Sequence, residues 1–135
     1  MNLESNVKRN KIKKSKIRFH VLGNSKDGLV YAYQNEQSMV IHFACCLIVL
    51  ILGFICKLNS FEWAVCILLL GMIGATELIN TSLEAVIDLI TSKYHPLAKI
   101  GKDTASAAVL IFAITAFICG ILIFLPKVII FLSSI

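Results

Sequence analysis

Residues 104–125, Thr-Ala-Ser-Ala-Ala-Val-Leu-Ile-Phe-Ala-Ile-Thr-Ala-Phe-Ile-Cys-Gly-Ile-Leu-Ile-Phe-Leu, contain no charged side chain and stop at Pro126-Lys127. About 20 apolar residues in a helix cross the ~30 Å hydrocarbon core of a bilayer, so this stretch reads as a membrane span. Two others qualify by the same measure. Met39–Leu58 has His42 and Lys57 near its ends, and Trp63–Leu83 has Glu77 as its charge. The alternating strands of ~10 residues expected of a membrane barrel are not visible. The predicted fold is all-α and integral to the membrane, with three transmembrane helices per subunit.

The composition agrees. Of 135 residues, 58% are hydrophobic and 16% charged, against ~45–50% and ~25% in ordinary globular chains, and the mean hydropathy is +0.84. A disordered chain, a disulfide-stapled secreted module and a conventional soluble domain are excluded. The formal charge of +5 divides unevenly: residues 1–26 carry +7 and residues 27–135 carry −2. The basicity belongs to the N-terminus.

Lysine and arginine in short loops set orientation. The N-terminal segment carries Lys8, Arg9, Lys11, Lys13, Lys14, Lys16, Arg18 and Lys26, and residues 84–103 carry Lys93, Lys99 and Lys102. The short first loop, Asn59–Glu62, has no base beyond Lys57 at its edge. The N-terminus and the 84–103 loop are therefore expected in the cytoplasm, with Lys127 outside. Phe61 and Trp63 then fall at the outer interface, where aromatic rings are favoured.

A signal peptide is not expected, because residues 21–37 are not an apolar run and no small-x-small site follows. Residues 1–16 read as a basic tail, solvated and weakly attracted to anionic lipid. Ile17, Val21, Leu29, Ala32 and Tyr33 recur at helical spacing among polar residues. They suggest an amphipathic interfacial helix from Ile17 to Glu36, weakened by Gly23 and Gly28. Residues 17–135 are taken as one membrane domain. The five cysteines lie inside the spans without zinc spacing and read as small apolar fillers. Gly71, Gly74 and Ala75 read as a close-packing face.

The chemically informative segment is Glu77-Leu-Ile-Asn80-Thr-Ser-Leu-Glu84-Ala-Val-Ile-Asp88. At ~100° per residue, Asn80, Glu84 and Asp88 fall about −60°, −20° and +20° from Glu77, so four polar groups share an arc of ~80°. Glu77 lies ~21 Å inward from Trp63 at ~1.5 Å per residue, still within a ~30 Å core. A carboxyl group there is costly and marks function, a partner or a water-lined cavity. Glu84 is ~10 Å further along the same face, near headgroup level. One acid thus stands where a lipid hydroxyl lies, and another where a soluble phosphate donor reaches. Glu36 ends the interfacial segment at the same level. Paired carboxylates with phosphate oxygens commonly hold Mg²⁺ at phosphotransfer sites. Tyr94, His95, Lys102 and Asp103 follow in the loop, where Lys102 suits either a phosphate contact or a snorkelling anchor. The chain has no G-x-x-x-x-G-K-[ST] loop and no protein-kinase signature.

Residues 77–88, with His-Pro-Leu-Ala-Lys at 95–99, Gly-Lys-Asp at 101–103 and Asn35-Glu36, closely resemble the prokaryotic diacylglycerol kinase family. The E-x-x-N-[ST]-x-x-E-x-x-x-D signature and the K-D motif are specific, and the likeness covers about residues 17–125. The wording at 95–99 looks like the Gram-positive branch, whose preferred substrate is undecaprenol. The resemblance implies a homotrimer in the bacterial plasma membrane that phosphorylates a lipid alcohol with MgATP at the cytoplasmic interface. It makes Glu77 the general base and Asn80 its hydrogen-bonding neighbour. It assigns Glu36 and Glu84 to Mg²⁺ and the ATP phosphates, and Tyr94, His95, Lys102 and Asp103 to the nucleotide. Ser106 would face the lipid. Asn24 stands where a family aromatic that contacts nucleotide is common, Gln37 where Gram-positive members often have Arg, and Gly101 replaces the usual Ala.

The reading is a membrane lipid kinase, undecaprenol kinase first and diacylglycerol kinase next. Two rivals are a small proton-coupled transporter in which Glu77 titrates, and a structural subunit whose acids pair with neighbouring chains. No nucleic-acid partner is expected.

Overall fold

A computed structural model of the chain describes residues 23–133. All its regular structure there is helical: α1 (residues 23–35), α2 (Gln37–Ile55), α3 (Ser60–Ile90) and α4 (Pro96–Ser133). The last three are long and apolar enough to cross a membrane, which makes this a multi-pass membrane protein. The chain divides into two compact units between Asn35 and Glu36. In the first, α1 passes through Gly28 without a break, and Asn35 Nδ2 donates to the Tyr31 carbonyl at 2.8 Å. The basic tail and residues 17–22 of the expected interfacial helix lie outside the described residues.

In the second unit the helix ends differ from the expected spans, each for a local reason. α2 stops at Ile55, three residues before the expected Leu58. Lys57 takes a left-handed conformation at φ 51, while its N–H bonds the Phe54 carbonyl and the Leu58 N–H bonds the Gly53 carbonyl. This pair of bonds is a Schellman motif, with Lys57 where glycine is usual. Asn59 then starts α3: its Oδ1 accepts from the Glu62 N–H at 3.0 Å, and Glu62 Oε2 accepts from the Asn59 N–H at 2.7 Å. These reciprocal bonds are a capping box.

α3 runs unbroken to Ile90, so the polar segment 77–88 is helix throughout. Thr91, with φ −152 and ψ 128, ends it in extended backbone. The expected 84–103 loop therefore narrows to residues 91–95. Pro96 opens α4, where a missing N–H costs nothing, and His95 Nδ1 accepts from the Leu97 N–H at 3.2 Å. At its far end α4 continues through Pro126 to Ser133, although the sequence predicts a stop at Pro126-Lys127. Proline removes one hydrogen bond from the ladder, a loss that membrane helices tolerate. Lys127 moreover reaches across to Glu62 at 3.0 Å.

That ion pair has a counterpart. Lys102 Nζ lies 2.6 Å from Asp88 Oδ1, again between α4 and α3. At ~1.5 Å per residue the two rungs stand about 39 Å apart along α3 and about 38 Å along α4. The antiparallel helices are thus in register between the two pairs. The separation exceeds the ~30 Å hydrocarbon of a bilayer and falls just short of the ~40–45 Å that includes headgroups. Glu77 stands about 16 Å along α3 from the Asp88 rung.

α2 packs on α3 through small residues. A Cβ on Gly53 would fall 2.5 Å from Trp63 Cη2, so the indole lies directly on the α2 backbone, and Phe54 meets Trp63 with centroids 5.1 Å apart. Further along, Gly74 accommodates the His42 ring, with Nε2 3.1 Å from where a Cβ would stand. α4 buries no residue, and most apolar side chains of the spans are exposed. Lipid or other protein must cover them.

Candidate active site

The polar arc forms as its spacing predicts. Glu77 is 8% exposed and Thr81 6%, making them the buried polar residues among those described. Thr81 Oγ1 donates to the Glu77 carbonyl at 3.1 Å, which satisfies its hydroxyl inside the helix. Asn80 Nδ2 donates to Glu84 Oε1 at 3.0 Å, joining two members of the arc. The other amide atom, Asn80 Oδ1, is buried with no hydrogen-bond partner. A buried acceptor without a donor costs free energy, and here it belongs to the amide that bonds the Glu84 carboxylate.

Glu77 has its partner on α2. Ser38, in the first turn of that helix, donates its hydroxyl to Glu77 Oε2 at 2.8 Å. One turn on, His42 rests against Gly74, with Cys46 Sγ 3.6 Å from its Nε2. Ser38 and His42 therefore face Glu77 and Gly74, one turn apart on each helix.

Where α3 passes into α4 there is an open cleft of about 420 Å³. Tyr94, His95, Lys102 and Asp103 line it, together with Asp88 and Lys99. Lys99 pairs with Asp103, and Lys102 with Asp88. The Asp88 carboxylate, chiefly through its hydrogen bond, holds the ammonium of Lys102 above the usual lysine range. Lys102, two residues ahead of the apolar run, thus stays cationic at any physiological pH. His95 Nδ1 accepts from the Leu97 backbone, so a neutral ring carries its proton on Nε2 and can donate with it. The open cleft thus offers two lysines, each paired with an aspartate, beside a histidine N–H and a tyrosine ring.

The structure gathers four expected residues, Tyr94, His95, Lys102 and Asp103, around one cleft. It sets Glu77, Asn80 and Glu84 on one face of α3. Glu36 is the N-cap of α2 but makes no side-chain capping bond, which leaves its carboxylate uncommitted to the helix. Among the described residues no three His, Cys, Asp or Glu side chains come together as a metal cage. Ser106 lies exposed on α4, one turn beyond Lys102. Sequence reasoning missed Ser38, whose contact with Glu77 depends on how two helices align, and gave Asp88 no task. Its place in the arc was the available signal.

The sequence profile of prokaryotic diacylglycerol kinase matches residues 23–124. Undecaprenol kinase of Bacillus subtilis (strain 168) is 45% identical over 100 residues, 74% of this chain and 81% of that protein. Diacylglycerol kinase of Helicobacter pylori (strain J99) is 38% identical over 103 residues, 76% and 80% of the two chains. Diacylglycerol kinase of Escherichia coli (strain K12) is 32% identical over 96 residues, 71% and 79%. These likenesses decide against the transporter and the purely structural subunit. A buried acid on a membrane helix beside a cation-lined cleft, within a profile covering most of the described residues, leads to one conclusion: the chain belongs to the prokaryotic diacylglycerol kinase family, a family of lipid kinases.

Proposed function

We propose that this lipid kinase transfers the γ-phosphoryl group of ATP to the hydroxyl of a membrane lipid alcohol, with undecaprenol as its acceptor. The observation that carries the reading is Glu77, a buried carboxylate about 16 Å inside the Asp88 rung. A soluble alcohol has no reason to go there, whereas a lipid hydroxyl arrives by lateral diffusion. Glu77 takes the proton of that hydroxyl as its oxygen bonds the γ-phosphorus and the bond to the ADP oxygen breaks. The products are the lipid phosphate, ADP and a proton on Glu77. Most of the acceleration in such a transfer comes from positioning and charge stabilisation.

Tyr94, His95, Lys102 and Asp103 take the nucleotide. Lys102 and the Nε2–H of His95 meet its phosphates, and Lys102 exchanges Asp88 for them. Asn80, expected as the hydrogen-bonding neighbour of Glu77, bonds Glu84 instead and orients that carboxylate, and Ser106 faces the lipid. The donor set suits Mg²⁺, because Glu84, the uncommitted Glu36 and the unpartnered Asn80 Oδ1 offer hard oxygens only. Glu36 and Glu84 would hold it. Bound there, Mg²⁺ would neutralise phosphate charge.

The charge bias places the N-terminus and the cleft in the cytoplasm of a bacterial plasma membrane, with α1 on the interface as an amphipathic helix. A homotrimer covers the polar arc and the exposed apolar faces that three helices leave open. Undecaprenol is favoured over diacylglycerol by the 45% identity to the Bacillus protein of that name. Purified protein in mixed micelles, given labelled ATP and Mg²⁺ with a panel of lipid alcohols, tests the proposal. Label in undecaprenyl phosphate, at a higher kcat/KM than for diacylglycerol, is expected. A preference for diacylglycerol reverses the acceptor, and label in no lipid removes the activity.

A further inference from the structure

We infer that Ser38 is a positioning residue for the general base: it fixes the Glu77 carboxylate so that one chosen oxygen meets the acceptor hydroxyl. The inference rests on the proposed role of Glu77. A carboxylate has two equivalent oxygens and a soft terminal torsion. The Ser38 hydroxyl donates to Oε2 at 2.8 Å, across from another helix. That bond occupies Oε2, sets the plane of the carboxylate and leaves Oε1 as the proton acceptor.

Three further observations make this more than a chance contact. First, Glu77 is 8% exposed, so water offers little alternative hydration and the orienting hydroxyl is not replaced by bulk solvent. Second, the bond joins α2 to α3 at a fixed register. Trp63 on Gly53 and His42 on Gly74 hold the same helix pair at two points further along. Third, Ser38 lies two residues from Glu36, the N-cap of α2. The group that aims the base thus lies just past the residue that starts α2, in chain terms close to a proposed metal-holding carboxylate.

The competing role is a clasp between α2 and α3 with no bearing on chemistry. Ser38→Ala and Ser38→Thr are made beside Glu77→Gln and the double variant Ser38→Ala/Glu77→Gln. Each is assayed in mixed micelles for kcat, KM for ATP and thermal stability. Positioning predicts that Ser38→Ala lowers kcat about 10- to 100-fold with KM for ATP and stability kept. Ser38→Thr, which restores a hydroxyl, should recover most of the rate. The double variant should be no slower than Glu77→Gln alone, since Ser38 acts through Glu77. Full activity in Ser38→Ala beside an inactive Glu77→Gln overturns the positioning role and spares the base. An active Glu77→Gln overturns the base assignment and the inference with it. Loss of stability in Ser38→Ala with an unchanged kcat assigns the bond to the clasp and overturns the inference.

Discussion

The Glu62 end and the Asp88 end of the α3–α4 pair are each tied by one lysine and one carboxylate, yet they are built for different tasks. At the Glu62 end the charges are drawn in, with side chains 19% and 24% exposed for Glu62 and Lys127. Glu62 is held twice over, by Lys127 and by the Asn59 N–H. Beside it Trp63 lies on Gly53 and against Phe54, and a Schellman motif turns the chain. At the Asp88 end the pair is looser to water, 63% exposed at Asp88 and 35% at Lys102. A cleft opens there, and Asn80 Oδ1 has no donor. Paired, half-buried charges hold the helices at one end, and the proposed ligand site lies at the other. The same residue types serve both purposes, and exposure and pairing tell them apart.

The largest effect that tests this contrast is expected at the open end. Glu84→Gln should cut turnover by at least ~10²-fold, the scale of losing a group that stabilises charge in transfer, while the bundle stays folded. Turnover measured against Mg²⁺ concentration checks it, and near-normal activity at limiting Mg²⁺ would remove Glu84 from the metal site. Glu36→Gln should behave alike. At the closed end, Gly53→Val should cost about 1–3 kcal/mol of stability through overpacking against the Trp63 ring. Unfolding in detergent would register it, with the KM for ATP unmoved.

A smaller change is expected from Lys102→Met. Loss of one cationic phosphate contact should raise the KM for ATP by about tenfold, the ~1.4 kcal/mol of a single charge-assisted bond. Thermal stability should fall little, because the Asp88 pair is exposed. A large drop in stability with KM unchanged would make the Asp88 end a second clasp. The smallest effect belongs to Lys57→Gly. Relieving a left-handed non-glycine residue should stabilise the closed end by about 1 kcal/mol, seen as a modest rise in melting temperature with turnover unaltered.

How much of this was legible in the sequence follows from which signals are local. Three candidate spans could be read from apolar length alone. The arc from Glu77 to Asp88 needed only the helical period. Helix ends were less legible. α2 turns at Lys57, a residue that does not advertise a left-handed cap, and α4 runs through a proline that in water would break it. The cleft was half-legible: Tyr94, His95, Lys102 and Asp103 are close in sequence, whereas the Asp88–Lys102 pair depends on the fold of residues 91–95. Ser38 could not be read at all. Its contact with Glu77 is set by the α2–α3 register, which Gly53 and Gly74 fix through the side chains they admit.

The most direct test lies at the deepest acid. Glu77→Gln keeps the size and hydrogen-bonding capacity of the side chain, and a neutral amide is cheaper to bury than a carboxylate. Turnover, ATP-analogue binding and thermal stability are measured on one preparation of this variant. Turnover should fall ~10²–10⁴-fold, as on losing a general base, with nucleotide binding retained and stability no lower than the parent's. A Glu77→Gln protein that still phosphorylates lipid at a normal rate would contradict the assignment of the base.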